Sequence, residues 1–356
     1  MNDINILKLL CETVGVTGHE KNIAFNVKSI FEKYCNEVAV DKFFNVTGIM
    51  RAKLHNLKGR DKPIKVMYTA HTDEIGLLVT KIEAGGFIKI GKISGIDPKT
   101  LISKKVVISG KRGFIKGITA SIPPHLTDAE ERKKAPAFED IYVDTGLSEE
   151  EVRERINIGD IVAYEPSFET QGMSMVSGKS LDDRIGIYTL YRTMQILKER
   201  SFGCDVFFHG GVSEEFDSLG AYSAAYKIEP DIAVVIDVTH GKAGIADINE
   251  ENQTFLLGKG PVICKSPILS SSLTENLIGL CKVNGIKPAI EVDNKNTGTD
   301  ALAVSVTGMG CPAALVSIPL KYMHSQVEMA SLKDVEMTAE ILAQFVMQNE
   351  FVLNSF

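Results

Sequence analysis

Two histidines and several carboxylates are spaced along this chain so that they could share metal ions. His71 ends the apolar run Val66 to Ala70 and opens His71-Thr72-Asp73-Glu74. The run Val206 to Phe208 leads through His209 to Ser213-Glu214-Glu215, Ile232 to Ile236 is followed by Asp237, and Ala313 to Ile318 leads into Lys321-Tyr322-Met323-His324. Asp182 and Asp183 stand just before a helical stripe that begins at Arg184. In open α/β sheets, ligands gather at the carboxyl ends of the strands. Imidazole nitrogens and carboxylate oxygens delivered there suit zinc, cobalt or manganese. Singly, each residue has a plainer reading: a strand-end carboxylate caps a helix, and a lone His71 packs in a core. The joint placement is what points to chemistry.

The elements that must carry these residues follow from hydrophobic periodicity. Ile4 to Cys11 reads as a helix, and Thr17-Gly18-His19-Glu20 as a turn into a second helix ending near Tyr34, with His19 a capping or surface residue. After Gly76, short β-branched runs alternate with glycine turns: Leu77 to Ile82, Phe87 to Ile90, Lys105 to Ser109, Gly113 to Thr119 and Ile158 to Tyr164. His125 to Asp140 reads as an exposed loop whose Glu130 to Lys134 charge run is a solvated face. Ser148-Glu149-Glu150-Glu151 has capping-box spacing. From Leu181 strands and helices alternate, with helices at Ala221 to Tyr226, Leu273 to Val283 and Leu332 to Val346. The expected fold is α/β, a largely parallel central sheet flanked by helices, interrupted by a small β-barrel-like insert of about 100 residues. On this division residues 1–76 and 176–356 form one discontinuous domain and residues 77–175 the insert.

Composition removes whole classes of function. Lys plus Arg total 39 against 46 Asp plus Glu, a net charge of −7 with no basic patch, so nucleic acid is not an expected partner. No apolar run approaches the ~20 residues that span a bilayer, and the N-terminus lacks the layout of a signal peptide, so no membrane partner and a cytoplasmic location are expected. The six cysteines are scattered without a C-x-x-C pair and read as reduced core residues. Gly258-Lys259-Gly260-Pro261 lacks phosphate-loop spacing, and Ser213 lacks a nucleophile-elbow context. His209 and His240 read as structural, and the absence of Trp speaks against a sugar-stacking platform.

Ala70-His71-Thr72-Asp73-Glu74-Ile75-Gly76, Leu181-Asp182-Asp183-Arg184, Ser213-Glu214-Glu215, Asp237, Gly298-Thr299-Asp300-Ala301, Ser317-Ile318-Pro319 and Tyr322-Met323-His324-Ser325 occur in that order. Together they resemble the tetrahedral (TET) family of two-metal aminopeptidases, some of whose members were once labelled endoglucanases. The resemblance runs from about Leu9 to the C-terminus. It implies that Asp182 bridges two divalent metal ions, zinc or cobalt or else manganese, one also held by His71 and Asp237 and the other by Glu215 and His324. It implies further that Glu214 is the general base, and that Asp73 orients His71 from the side away from the metal. Glu74 and Asp183 are then supporting residues. The insert becomes a dimerisation and lid domain, dimers assemble into a dodecamer, and the substrates are short peptides trimmed from the N-terminus. Three departures from the family pattern stand out: Phe216-Asp217-Ser218-Leu219 in a turn expected to line the site, Phe44 where glycine is usual, and Lys321 where arginine is usual.

Two alternatives remain at this point. A related two-metal carboxypeptidase or N-deacylase would share the ligands, although such relatives usually carry their extra domain after the Glu pair. A catalytically weak metal-binding scaffold would keep the ligands and lose turnover through the altered turn.

Overall fold

The computed structural model describes residues 3–54, 62–122, 124–126, 134–242 and 254–348. His55 and the charge run from Glu130 to Lys133 lie outside them. An eight-stranded sheet forms the centre, in the spatial order Glu37–Val40, Val46–Met50, Asp205–Gly211, Lys65–His71, Ile232–His240, Ala313–Leu320, Val262–Lys265, Ala289–Val292. The four middle strands are mutually parallel. Antiparallel pairings attach Val46–Met50 on one side and Val262–Lys265 on the other.

The middle strands are near-continuous apolar runs because both faces are covered. Side-chain alternation divides them: Val66, Tyr68, Val206, Phe208 and Val234 face the larger core, whereas Met67, Phe207 and Ala233 face the opposite one. The larger core is closed by the helices Asp3–Glu12, Lys21–Phe31, Leu181–Lys198, Ser271–Val283 and Leu332–Met347. Leu219–Ile228 and Ala301–Val306 cover the other face. Ser270 and Ser331 each cap a helix start by accepting a backbone N–H, which satisfies a donor the first turn leaves orphaned.

The β-rich segment closes into a six-stranded antiparallel barrel, in the order Gly76–Ile82, Ile88–Ile93, Tyr142–Asp144, Gly113–Ala120, Lys105–Gly110, Ile161–Tyr164 and back to the first. Closure leaves no open sheet edge. Leu77, Val79, Ile88, Ile108, Val143 and Val162 fill its interior. The expected capping box is present: Ser148 caps Glu149–Arg155, and Glu151 reaches back to the Ser148 N–H at 3.0 Å. A third sheet, Phe168–Gln171, Met175–Gly178 and Glu328–Ser331, sets Gly178 opposite Glu328.

Several expectations change in detail. Of the two roles expected for His19 it has the surface one, being exposed, and the residue at the start of the second helix is Glu20, which accepts the Gly18 N–H at 2.8 Å. Asp237 lies inside its strand rather than after it, because pairing with Ala313–Leu320 continues to His240. The loop from 125 to 140 carries single helical turns at Pro124–Leu126 and Phe138–Asp140. Phe44 adopts φ 71°, a left-handed conformation that explains why glycine is the easier residue there. All six cysteines are free, and five of them are buried. Among the described residues no helix is long and apolar enough to cross a membrane.

Candidate functional site

Parallel register brings the first two ligand-bearing segments together, since Gly211 pairs with His71. Glu214 and Glu215 follow three and four residues later, in a turn where Ser213, Asp217 and Ser218 have positive φ. Asp182 enters from the head of the helix Leu181–Lys198, whose Asp182 and Asp183 depart from helical geometry and are joined by a cis peptide bond. Asp237 arrives on the neighbouring strand. His324 follows the strand Ala313–Leu320 with φ 59°, held there by its N–H donating to Glu328 Oε1 at 2.9 Å.

The side chains converge on Asp182. His71 Nε2 lies 3.1 Å from Asp182 Oδ1 and 3.8 Å from Glu214 Oε2. His324 Nε2 lies 3.3 Å from Asp182 Oδ2 and 3.2 Å from Glu215 Oε1. Ligand atoms of His71, Asp182 and Glu215 lie within 4.8 Å of one another, as do those of His71, Asp183 and Asp237. The second grouping sets Asp183, expected only as a supporting residue, beside His71 and Asp237. Its carboxylate is already occupied, with Oδ2 accepting the His71 N–H at 3.3 Å and Oδ1 the Gly186 N–H at 3.0 Å.

Around this cluster stands a set of supporting contacts. Asp73 is buried and accepts the N–H groups of Glu214 (3.1 Å) and Glu215 (3.2 Å) and the Thr17 hydroxyl (2.8 Å). Its Oδ1 is 3.4 Å from His71 Nδ1, on the ring edge away from Asp182, in ion-pair reach but out of line for a hydrogen bond. Glu74 faces away from the cluster: Lys179 Nζ donates to it at 2.5 Å, Ser180 Oγ donates to the same oxygen, and the Gly15 N–H to the other at 2.8 Å.

Three supporting residues, Glu328, Ser94 and Gly95, escaped the sequence reading, and a fourth, Asp300, stands there only within its motif. Glu328 takes the Asp182 N–H at 3.1 Å as well as that of His324. Ser94 donates to Glu215 Oε2 at 2.5 Å, and the Gly95 carbonyl lies 2.8 Å from His324 Nδ1. A Cβ at Gly95 would stand 3.1 Å from that nitrogen, so the close approach suits glycine. Asp300 is buried with Oδ1 unpartnered. Of these, only Asp300 lies in a motif visible in the sequence.

Burial is the largest influence on these groups. It pushes the Glu214 carboxyl up to about 10, opposed by His71 and reinforced by Asp237, Asp300 and Glu215. It also raises Asp237 and Asp183 well above the ordinary carboxylate range. At Asp182, the hydrogen bonds from His324 and His71 outweigh burial and hold the carboxyl below its usual value. At His324, the bonds to Asp182 and Glu215 overcome burial and lift the imidazole to about 11. These carboxylates face one another in low dielectric with two imidazoles and, among the described residues, no Lys or Arg between them. Such a donor set fits divalent cations, which favour ionised carboxylates and neutral imidazoles together.

The cluster opens onto a cleft of about 350 Å³ that also holds Glu291, Asp293 and the segment Thr297 to Thr299. The turn after Glu215 is not part of its lining, and Phe216 and Leu219 are exposed. Lys321 also stands outside the cleft, paired through its backbone with Met329.

Residues 52–341 match the family model described as M42 glutamyl aminopeptidase. The chain belongs to the M42 glutamyl aminopeptidase family. Aminopeptidase activity accompanies that membership. Among M42-like relatives, the lysyl aminopeptidase of Pyrococcus furiosus is 32% identical over 96% of both chains. A TET aminopeptidase from a marine sediment Thaumarchaeota archaeon superposes on this M42 chain with TM-score 0.91 at 28% identity, covering 99% of this chain and 98% of that one. The Pyrococcus horikoshii TET1 peptidase, described as assembling into a tetrahedron or a large octahedral shell, gives TM-score 0.82 at 28% identity over 98% and 100% of the two chains. The α/β sheet and the barrel of this M42 chain are therefore those of the TET aminopeptidases, as the sequence resemblance implied.

Proposed function

We propose that the chain removes N-terminal residues from short peptides by hydrolysis at a centre of two divalent metal ions, zinc or cobalt, with Glu214 as general base. The observation that carries this reading is Asp182 lying between His71 Nε2 and His324 Nε2, one imidazole on each carboxylate oxygen. Asp182 would bridge the ions, with His71 and Asp237 completing one site and Glu215 and His324 the other. Bound there, the ions would supply Lewis acidity toward the scissile carbonyl and a lowered pKa for a water.

The chain's own groups supply the rest. Glu214 is largely buried beside the cluster with Oε2 3.8 Å from His71 Nε2, and with two divalent cations bound next to it the carboxylate would be ionised and placed to take a proton from water and pass it to the leaving amine. Asp73 anchors the Glu214 and Glu215 backbone and faces His71 Nδ1, so it orients the ring. Ser94 and Gly95 bring the barrel to Glu215 and His324, which supports a lid role for residues 77–175 beside a catalytic unit of residues 1–76 and 176–356. Phe114, Ile118 and Ile122 expose apolar surface on or beside the barrel, which supports a dimer contact there. The tetrahedron and the dodecamer described for the TET1 peptidase support assembly of such dimers into a dodecamer. A cytoplasmic location belongs to the same reading.

The deciding experiment is reconstitution with zinc or cobalt, elemental analysis, and comparison of free-amine with N-acetylated peptides. Cleavage of the free-amine series alone supports the reading. Equal cleavage of the acetylated series would point to an N-deacylase, and no cleavage of either to a scaffold.

A further inference from the structure

The names attached to this family disagree about substrate: the family model is described as glutamyl and the Pyrococcus furiosus relative as lysyl. A pocket for glutamate needs a cation at its far end, whereas one for lysine needs carboxylates. The cleft answers in its own residues. Its volume of about 350 Å³ falls at the small end of ordinary ligand pockets.

Beyond the metal-centre carboxylates the cleft holds Glu291 and Asp293, and none of its described lining residues is Lys or Arg. Glu291 lies on the strand Ala289–Val292 in register with Cys264, and Thr239 donates to its Oε1 at 2.7 Å. That bond orients the carboxylate without neutralising it. Burial raises the Glu291 carboxyl, and Asp293 raises it further, while Thr239 and the nearby His240 oppose the shift. Cys264 and Leu315 add apolar surface to the same cleft. A long side chain with an apolar stem and a charged head matches such a lining.

The charge balance runs the same way. Two divalent ions would offset Asp182, Glu214, Glu215 and Asp237, leaving Glu291 and Asp293 as negative charge for the substrate to meet. We infer that the chain selects peptides whose N-terminal residue is lysine or arginine, with Glu291 and Asp293 receiving the cationic side chain. This rests on the aminopeptidase reading for the position of the substrate's first residue. A glutamate side chain in the same cleft would face like charge, which is a strong basis for rejection.

The test uses the metal-loaded protein and two side chains of nearly equal length, lysine and norleucine, which differ in charge. The ratio of kcat/KM for lysyl over norleucyl anilide is expected to exceed about tenfold and to fall toward unity in Glu291→Gln with Asp293→Asn. A parallel calorimetric measurement compares binding of lysinamide and norleucinamide, with circular dichroism confirming that the variant is folded. Turnover of both anilides without a lysine preference overturns this inference and leaves the aminopeptidase reading standing. Tighter binding of lysinamide that depends on Glu291 and Asp293, with no turnover of either anilide, supports the inference and overturns that reading. Equal binding of the two amides with no turnover overturns both.

Discussion

Asp73 Oδ1 accepts the backbone N–H of Glu214 at 3.1 Å across 141 residues of sequence, tying the segment that carries His71 to the one that carries the proposed base. The same carboxylate accepts from Glu215 and faces His71 Nδ1. Asp73→Asn keeps the shape and removes the charge. Metal affinity is expected to fall about 10- to 100-fold, read by competition with a chromogenic chelator. Unchanged affinity would show that Asp73 does not orient His71.

A second link holds the same region from behind. Lys179 Nζ and the Glu74 carboxylate meet at 2.5 Å with both side chains nearly inaccessible to water. Burial lowers Lys179, opposed chiefly by Glu74, and burial raises Glu74 but is outweighed by Lys179 and then Arg184, so each partner is a main support of the other's charge. Lys179→Met should destabilise the fold by about 3–5 kcal/mol by stranding the carboxylate. The double substitution Lys179→Met with Glu74→Gln should recover much of that in urea unfolding. A single-variant cost below about 1 kcal/mol would contradict the pairing.

The middle of the sheet was readable because buried parallel strands are unbroken apolar runs, so His71 and the approaches to Glu214 and His324 fell at visible strand ends. The short outer strands Ala289–Val292 and Glu37–Val40 were not, since their alternate residues face water and nothing marks their length. Ser94 and Glu328 were invisible for a different reason. They reach Glu215 and Asp182 across 121 and 146 residues, through contacts that exist only once the barrel and the small third sheet have docked. His209 was readable as structural, and the strand buries it completely.

That burial carries a pH dependence. Desolvation lowers the His209 imidazole from 6.5 to about 4. The native state therefore binds fewer protons than the unfolded chain between these values. The contribution is unaffected above pH 6.5 and is lost progressively as pH falls toward 4, by about 3 kcal/mol in all. His209→Gln should show a correspondingly shallower acid loss in unfolding free energy measured from pH 7 to pH 4.5. Parallel curves for the two proteins would place the acid sensitivity elsewhere.

The central claim is that Glu214 moves the proton while His71, Asp182, Glu215, Asp237 and His324 hold the ions. Glu214→Gln separates those two roles, because glutamine keeps the side-chain volume and loses the base. The most direct measurement is kcat of this variant on a free-amine aminoacyl anilide, with its metal content determined on the same sample. The account predicts full metal occupancy and a kcat lowered by about 10²- to 10⁴-fold. A variant that binds its metal and turns over at the parental rate would contradict it.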